Sequence, residues 1–249
     1  MWVARVVTTL VLTAHGSKDP RSAANARAVA GRVARLRPGL DVRLAFCELN
    51  TPSLVDVLNG LSGTTREAVV TPLLLANAYH ARIDIPGQIA GCGAAERVWQ
   101  AGVLGEHPRL ISLLRRRVME LGVSRLDDRL GVLVVAIGSS DAVANARTAQ
   151  VAPKLMMGTR WAGATTAFVT RPDPSLAEAA DLLRRRGARR VVIAPWFLAP
   201  GRLPDRVREF AAAAGPADIA LAEPLGAHRL VAETVLERFD QVAAQSIAA

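Results

Sequence analysis

The two halves of the chain resemble each other, and this repetition limits the possible folds more than any other feature. H-G-S from His15 matches I-G-S from Ile137, and A-F-C-E-L-N-T-P-S-L from Ala45 matches A-F-V-T-R-P-D-P-S-L from Ala167. Further pairs keep the offset between 120 and 123 residues. A constant offset of this length indicates a duplicated structural unit. The sequence therefore predicts two similar domains, 1–124 and 125–249.

Short apolar, β-branched runs alternate with amphipathic stretches in both halves, a pattern typical of parallel sheets with helices on both faces. The predicted strands are 7–13, 42–47, 68–74 and 97–102, followed by 132–136, 165–170, 190–196 and 218–221. The main predicted helices are 22–36, 108–121, 141–156 and 176–186. The expected fold class is α/β, with two similar three-layer α/β/α lobes, each built on a parallel four-stranded sheet and formed by internal duplication.

Composition excludes several classes of protein. Hydrophobic residues make up 51% of the 249 residues, which excludes intrinsic disorder. The longest apolar run, 6–14, is too short for a membrane span, so a cytoplasmic protein without a membrane partner is expected. Cys47 and Cys92 form no CxxC pair, which excludes a disulfide framework and a zinc ribbon. The net charge is +9, but the arginines are spread along helical segments without interleaved aromatics, so no nucleic-acid partner is expected.

Polar residues that both halves keep are expected to serve the fold. Gly16 and Ser17 recur as Gly138 and Ser139 between a predicted strand and a predicted helix. Glycine permits a tight turn there, and we expect the serine to cap the following helix, although such a helix start also suits an anionic group. Both halves also place a histidine, His107 or His228, before their last helix, where capping or packing is expected.

Three polar residues occur in the first half only. His15 corresponds to Ile137, Glu48 to Thr170 and His80 to Leu203. All three follow predicted strands, at the sheet edge where open parallel sheets bind ligands. Two imidazoles and a carboxylate suit a divalent Fe, Co, Ni or Zn ion. The same residues could instead act as general acids and bases.

Three stretches resemble the signature segments of the sirohydrochlorin chelatases, the cobaltochelatase and ferrochelatase family of siroheme and cobalamin synthesis. They are T-A-H-G-S-K-D-P-R-S around His15, A-F-C-E-L-N-T-P-S-L around Glu48 and P-L-L-L-A-N-A-Y-H-A-R-I-D-I-P around His80. The resemblance covers essentially the whole chain, because the two-lobed members of the family carry the same duplication. The chain departs from the family at Ala78, where glycine is frequent, and in its second half, which lacks both histidines.

The resemblance implies a class II chelatase-like fold and ATP-independent insertion of Co²⁺ or Fe²⁺, or of Ni²⁺, into sirohydrochlorin. The metal would be a substrate, and no organic cofactor is expected. His15 and His80 would bind the metal or accept pyrrole protons, with Glu48 assisting as the third catalytic residue. The residues expected to meet the substrate and its carboxylates in a cleft between the lobes are Ser17, Lys18, Arg21 and Arg82. The fused halves would act as a monomer with an internal pseudo-dimer.

Two other functions remain open. A chelatase acting on a more apolar porphyrin would share the two-lobed design, but it calls for an aromatic pocket, and aromatics are only 4% of this chain. A non-catalytic carrier of metal or tetrapyrrole would use the same donor atoms without turnover.

Overall fold

Two four-stranded parallel sheets organise the protein. The computed structural model describes residues 7–61, 67–170, 174–215 and 218–248, and within these ranges it describes the side chains of 9–244. The strands are β1 (Val7–Ala14), β2 (Asp41–Phe46), β3 (Glu67–Pro72), β4 (Val98–Gln100), β5 (Leu130–Ala136), β6 (Gly163–Phe168), β7 (Arg190–Pro195) and β8 (Ile219–Leu221). Their order is β2-β1-β3-β4 in one sheet and β6-β5-β7-β8 in the other, and every pairing is parallel. The predicted fold class and all eight predicted strands are confirmed.

Helices connect the strands in both halves. They are α1 (Pro20–Leu36), α2 (Leu54–Asn59), α3 (Ile85–Ala90), α4 (Pro108–Met119), α5 (Ala142–Ala149), α6 (Val151–Met156), α7 (Leu176–Arg185), α8 (Arg202–Ala214) and α9 (Arg229–Ala248). A five-residue π-helical turn, His80–Asp84, leads directly into α3. None of the described helices has the length and apolar character that crossing a membrane requires.

The strands are apolar runs because helices cover both faces of each sheet. Every residue of β3 and of β5 is buried. In the first sheet, Val11 and Val70 pack with Leu54 and Leu58 of α2 and with Ile85 of α3. This packing holds α2 and α3 beside the edge of the sheet at which β1, β2 and β3 end.

The predicted serine caps are wrong by two residues. Asp19 is the N-cap of α1 and accepts a hydrogen bond from the backbone N–H of Arg21, while Asp141 is the N-cap of α5. Ser17 lies two residues earlier and its Oγ accepts from the backbone N–H of Asp19 at 3.0 Å. Serine and aspartate both accept backbone hydrogen bonds, so the carboxylate two residues later competes for the same role.

The predicted helix 141–156 is two helices, α5 and α6, that meet at Gln150. Pro153 explains the break, because its ring collides with the carbonyl of the residue four positions earlier, Ala149, in a continuous helix.

The chain divides into two compact units, and these differ from the predicted domains 1–124 and 125–249. The first unit is Met1–Gly105 with Ala227–Ala249, and the second is Glu106–Gly226. Helix α9 belongs to the first unit, where it packs against α1, β1 and β3. Helix α4 belongs to the second unit, where it packs against β7 and α6. The last helix of each repeat therefore packs in the unit that contains the strands of the other repeat.

The repeats and the compact units differ because an apolar helix face does not identify its partner sheet. Leu110, Leu113 and Leu114 give α4 a fully buried face, and Val231 and Val235 do the same for α9. The repeat pattern marks where homologous segments start and end. Packing then decides which sheet each terminal helix covers.

Candidate functional site

The three polar residues confined to the first half meet at one edge of the first sheet. His15 directly follows β1, the strand between β2 and β3. Glu48 lies two residues beyond the end of β2, and His80 opens the π-helical turn after β3. Parallel strands all end at the same edge, so residues 15, 48 and 80 converge although they are far apart in the chain.

The two histidines contact each other directly. Their Nε2 atoms lie 2.7 Å apart, the ring centroids are 3.9 Å apart and the ring planes cross at 85°. Both side chains are partly exposed, 36% for His15 and 39% for His80. Solvent therefore reaches part of both imidazole side chains.

Neighbouring acceptors determine where the protons of the two rings lie. Nδ1 of His15 lies 2.9 Å from the carbonyl oxygen of Gly16, and Nδ1 of His80 lies 2.5 Å from a carboxylate oxygen of Asp84. Carbonyl and carboxylate oxygens accept hydrogen bonds, so both Nδ1 atoms donate. The two Nε2 atoms are thereby left facing each other, 2.7 Å apart, as the nitrogens available to a metal ion.

Asp84 is the site residue that the sequence analysis missed. It lies four residues after His80, on the same face of the helical turn, and its side chain is 28% exposed. An acidic residue at position i+4 from a candidate histidine is a signal that could have identified it. A carboxylate on Nδ1 fixes the tautomer of an imidazole and directs Nε2 toward the site, as it does for metal-binding histidines in general.

Glu48 approaches His15 and extends toward solvent. Its Oε1 lies 3.5 Å from Nε2 of His15, and its side chain is 52% exposed. The backbone holds it there, because the N–H of Glu48 donates to the carbonyl of His15 at 3.0 Å. Gly16 permits this approach: it has a φ of +101°, and a Cβ added there would lie 1.8 Å from the carbonyl oxygen of Glu48.

Cys47 lies next to Glu48 and is kept protonated by its surroundings. Burial, together with the negative charges of Asp84 and Glu48, raises the pKa of its thiol to about 11. Thiols bind metals as thiolates, so this environment disfavours Cys47 as a ligand at neutral pH.

The four residues predicted to meet the substrate lie close to the histidines in the chain. Ser17 is half-buried, and its backbone N–H donates to Oδ1 of Asn50 at 2.7 Å. Lys18, Arg21 and Arg82 are exposed. Arg21 forms an ion pair with Asp19 at 2.6 Å. The structure thus gives Ser17 a structural role in the turn, and the contact of all four residues with substrate remains a prediction.

The second unit has the same edge without the polar groups. Ile137 follows β5 and is 45% exposed, and Leu203 lies in the first turn of α8. Thr170 donates its hydroxyl proton to the carbonyl of Ile137 at 2.7 Å. The hydroxyl of Thr170, the residue that corresponds to Glu48, is thus engaged in a hydrogen bond to the backbone.

The histidine pair is not a closed metal site. Within the described ranges, no three or more His, Cys, Asp or Glu side chains are grouped so that they could hold a metal ion. Two imidazole nitrogens that share one tetrahedral ion at about 2.0 Å lie about 3.3 Å apart, so a bound ion has to spread the rings.

Comparison with known proteins bears on the family and the fold of the chain. The CbiX family model matches residues 9–121 and again 131–242. The sirohydrochlorin ferrochelatase of Priestia megaterium is 31% identical over 205 residues, which cover 78% of this chain and 74% of that protein. The sirohydrochlorin cobaltochelatase of the same organism is 26% identical over 213 residues, covering 81% of this chain and 67% of that protein. The structure of SirB from Bacillus subtilis with Fe³⁺ superposes with a TM-score of 0.81 at 23% identity, covering 96% of both chains.

Proposed function

The chain belongs to the CbiX family, and from this premise we propose that it is a chelatase that inserts Co²⁺ or Fe²⁺ into sirohydrochlorin. The observation that carries the proposal is the pair of facing Nε2 atoms of His15 and His80, with a carboxylate of Glu48 3.5 Å from the first. Nitrogen donors of this kind suit Fe²⁺, Co²⁺ and Ni²⁺, and the ligands do not discriminate strongly among them.

Metal insertion requires three events. Water must leave the ion, two pyrrole nitrogens must lose their protons, and the macrocycle must bend so that its lone pairs point at the ion. Imidazole can serve the first two events, because a neutral ring both binds a metal and accepts a proton. His15 and His80 are proposed as the transient ligands of the substrate metal.

Glu48 is proposed as the group that takes protons to solvent. Its carboxylate is half-exposed and lies beside His15, so a proton received at the site has a direct route to water. Asp84 acts through His80: by accepting the Nδ1 proton, it leaves Nε2 as the nitrogen that faces the metal.

The carboxylates of the substrate are proposed to interact with the exposed cations near the site, Lys18, Arg21 and Arg82, and with Ser17. Guanidinium groups bind carboxylates well because their paired N–H groups match the two oxygens. Arg21 would have to exchange its contact with Asp19 for one with the substrate.

Chelation is proposed to occur only in the first unit, since Ile137, Thr170 and Leu203 replace the donor residues in the second. The protein is further proposed to work as a monomer, with the two repeats replacing the two subunits of a symmetric pair. Light scattering should then report a mass near 26.4 kDa.

The test is a turnover assay followed by absorption spectroscopy. Purified protein is mixed with excess sirohydrochlorin and with Co²⁺, Fe²⁺ or Ni²⁺ in separate reactions. Insertion of many ions per chain supports the enzyme. A reaction that stops at one ion per chain indicates a carrier, and faster insertion into protoporphyrin or coproporphyrin than into sirohydrochlorin indicates a different substrate.

A further inference from the structure

Exposed apolar side chains adjoin the polar site along the chain. Among the described residues of the first unit, the large hydrophobic side chains that are strongly exposed are Leu49 at 56%, Tyr79 at 60% and Ile83 at 56%. Each is the chain neighbour of a site residue: Leu49 follows Glu48, Tyr79 precedes His80, and Ile83 precedes Asp84. We call these three residues the apolar rim.

The geometry holds the apolar rim beside the two histidines. The ring of Tyr79 meets the ring of His80 edge to face, with centroids 6.0 Å apart. Ile83 lies four residues after Tyr79 on the same helical turn, and this spacing places both side chains on neighbouring parts of one face. Leu49 follows the residue whose carboxylate reaches His15.

Leu49 has a backbone conformation that leucine rarely adopts. Its φ is +62°, and no other non-glycine residue among those described has a positive φ. The N–H of Asn50 donates to the carbonyl of Glu48 at 2.8 Å and closes a tight turn around it. Glycine or asparagine would occupy this position at lower energetic cost. Burial does not compensate leucine for the strain, since more than half of its surface is exposed. Strained residues of this kind cluster at functional sites.

We propose that Leu49, Tyr79 and Ile83 contact the flat face of the tetrapyrrole substrate and hold the ring over the histidine nitrogens. This inference rests on the proposed function and names residues that determine substrate affinity. A metal can pass from Nε2 of His15 and His80 to the centre of a macrocycle only if the ring lies over these atoms. The pyrrole rings around that centre are apolar, and the apolar rim is the surface that flanks the donors. The anionic edge of the substrate then projects toward the exposed cations.

Two single variants test the inference. Leu49→Asn relieves the backbone strain while it removes the apolar contact, and Ile83→Gln removes a second contact with a residue that favours helices. Each should raise the KM for sirohydrochlorin about tenfold, the effect of losing one buried apolar side chain. The binding of Co²⁺ alone should stay unchanged because the histidines are intact. The Tm of Leu49→Asn should equal or exceed that of the wild type, which a merely structural role of Leu49 does not allow.

The matched control is Leu126→Gln, since Leu126 is 68% exposed and lies in the second unit. It should leave KM, kcat and Tm at wild-type values. If the wild type turns over sirohydrochlorin while Leu49→Asn and Ile83→Gln keep its KM, the apolar rim does not bind the ring, and the proposed function stands. If the wild type neither binds nor metallates sirohydrochlorin, the proposed function and this inference are both overturned.

Discussion

His80 donates its Nδ1 proton to Asp84, 2.5 Å away and four residues later in the chain, and this contact determines which nitrogen of His80 faces His15. The opposite nitrogen, Nε2, is thereby left for the 2.7 Å contact with the other ring. Asp84 thus orients the imidazole of His80 without lying between the rings. Asp84 acts on His80 in two ways, as the acceptor of a hydrogen bond and as a negative charge.

Substitution of Asp84 should separate these two contributions. Asparagine keeps an oxygen that accepts the Nδ1 proton, whereas leucine removes both the acceptor and the charge. We expect Asp84→Leu to lower kcat/KM about 10- to 100-fold, the usual cost of losing a residue that orients a metal-binding histidine. Asp84→Asn should lose clearly less. The Co²⁺ absorption spectrum of each variant reports whether the histidines still bind the ion, and equal losses in both variants would contradict the orienting role.

Replacing either site histidine should remove most chelation while the fold stays intact. His15→Ala and His80→Ala each remove an Nε2 donor, so we expect kcat/KM to fall at least about 100-fold. Circular dichroism and thermal melts should match the wild type, because Ile137 and Leu203 occupy the corresponding positions in the second unit without a polar group. Full turnover by either variant would overturn the assignment.

The other two histidines provide matched controls for this experiment. His107 is the N-cap of α4 and accepts from the backbone N–H of Arg109, and Nδ1 of His228 accepts from the N–H of Leu230. Alanine at either position should lower the free energy of unfolding by about 1 kcal/mol, the typical value of a helix cap. Chelation should remain at the wild-type level in both. Installing Ile137→His together with Leu203→His should add little activity, because Thr170 supplies no carboxylate.

The thiol of Cys47 should react slowly until the pH is strongly alkaline. Burial and the charges of Asp84 and Glu48 disfavour the thiolate, so its pKa rises from 9.0 to about 11. Only the thiolate attacks an alkylating reagent, so at pH 8 the rate should lie far below that of a free peptide thiol. The measurement is the rate of iodoacetamide labelling against pH in a Cys92→Ser background. Asp84→Asn removes a negative charge and should lower the pKa of Cys47, whereas a midpoint near 9 in the wild type would contradict this account.

Gly16 should be less tolerant of a side chain than its counterpart Gly138. Both have positive φ, but a Cβ at Gly16 lies 1.8 Å from the backbone oxygen of Glu48, while a Cβ at Gly138 lies 2.8 Å from the Oγ1 of Thr170. The Oγ1 of Thr170 can give way by rotating out of its hydrogen bond with Ile137, and the next atom, the Cβ of Phe168, is 3.1 Å away, whereas a backbone carbonyl moves only with its loop. Gly16→Ala should therefore cost about 2 kcal/mol or more and should lower chelation by displacing Glu48. Urea unfolding and turnover of both variants test this, and a loss of chelation in Gly138→Ala as large as in Gly16→Ala would contradict it.

The sequence predicted the sheets and the convergence of His15, Glu48 and His80 because both depend on local pattern. Buried parallel strands such as β5 form continuous apolar runs, and residues that follow such strands meet at one edge. Other features depend on competition between alternatives. Asp19 displaced Ser17 as the helix cap because two good acceptors lie within one turn, and Asp84 was missed because its role depends on the rotamer of His80. The placement of α4 and α9 was also not predictable, since the amphipathic pattern of a helix does not specify which sheet the helix packs against.

The exchange of terminal helices predicts which fragment of the chain can fold alone. Residues 1–124 contain the first repeat but lack α9, whose Val231 and Val235 are fully buried in the first unit. Each such side chain contributes about 1.5–3 kcal/mol, a large share of the roughly 5–15 kcal/mol that stabilises a domain. We therefore expect fragment 1–124 to melt without a cooperative transition. A chain that joins Met1–Gly105 to Ala227–Ala249 through a flexible linker should melt cooperatively, because it restores the contacts of α9 with α1, β1 and β3. Thermal melts followed by circular dichroism compare the two, and a cooperative transition in 1–124 at the temperature of the linked chain would show that α9 is dispensable.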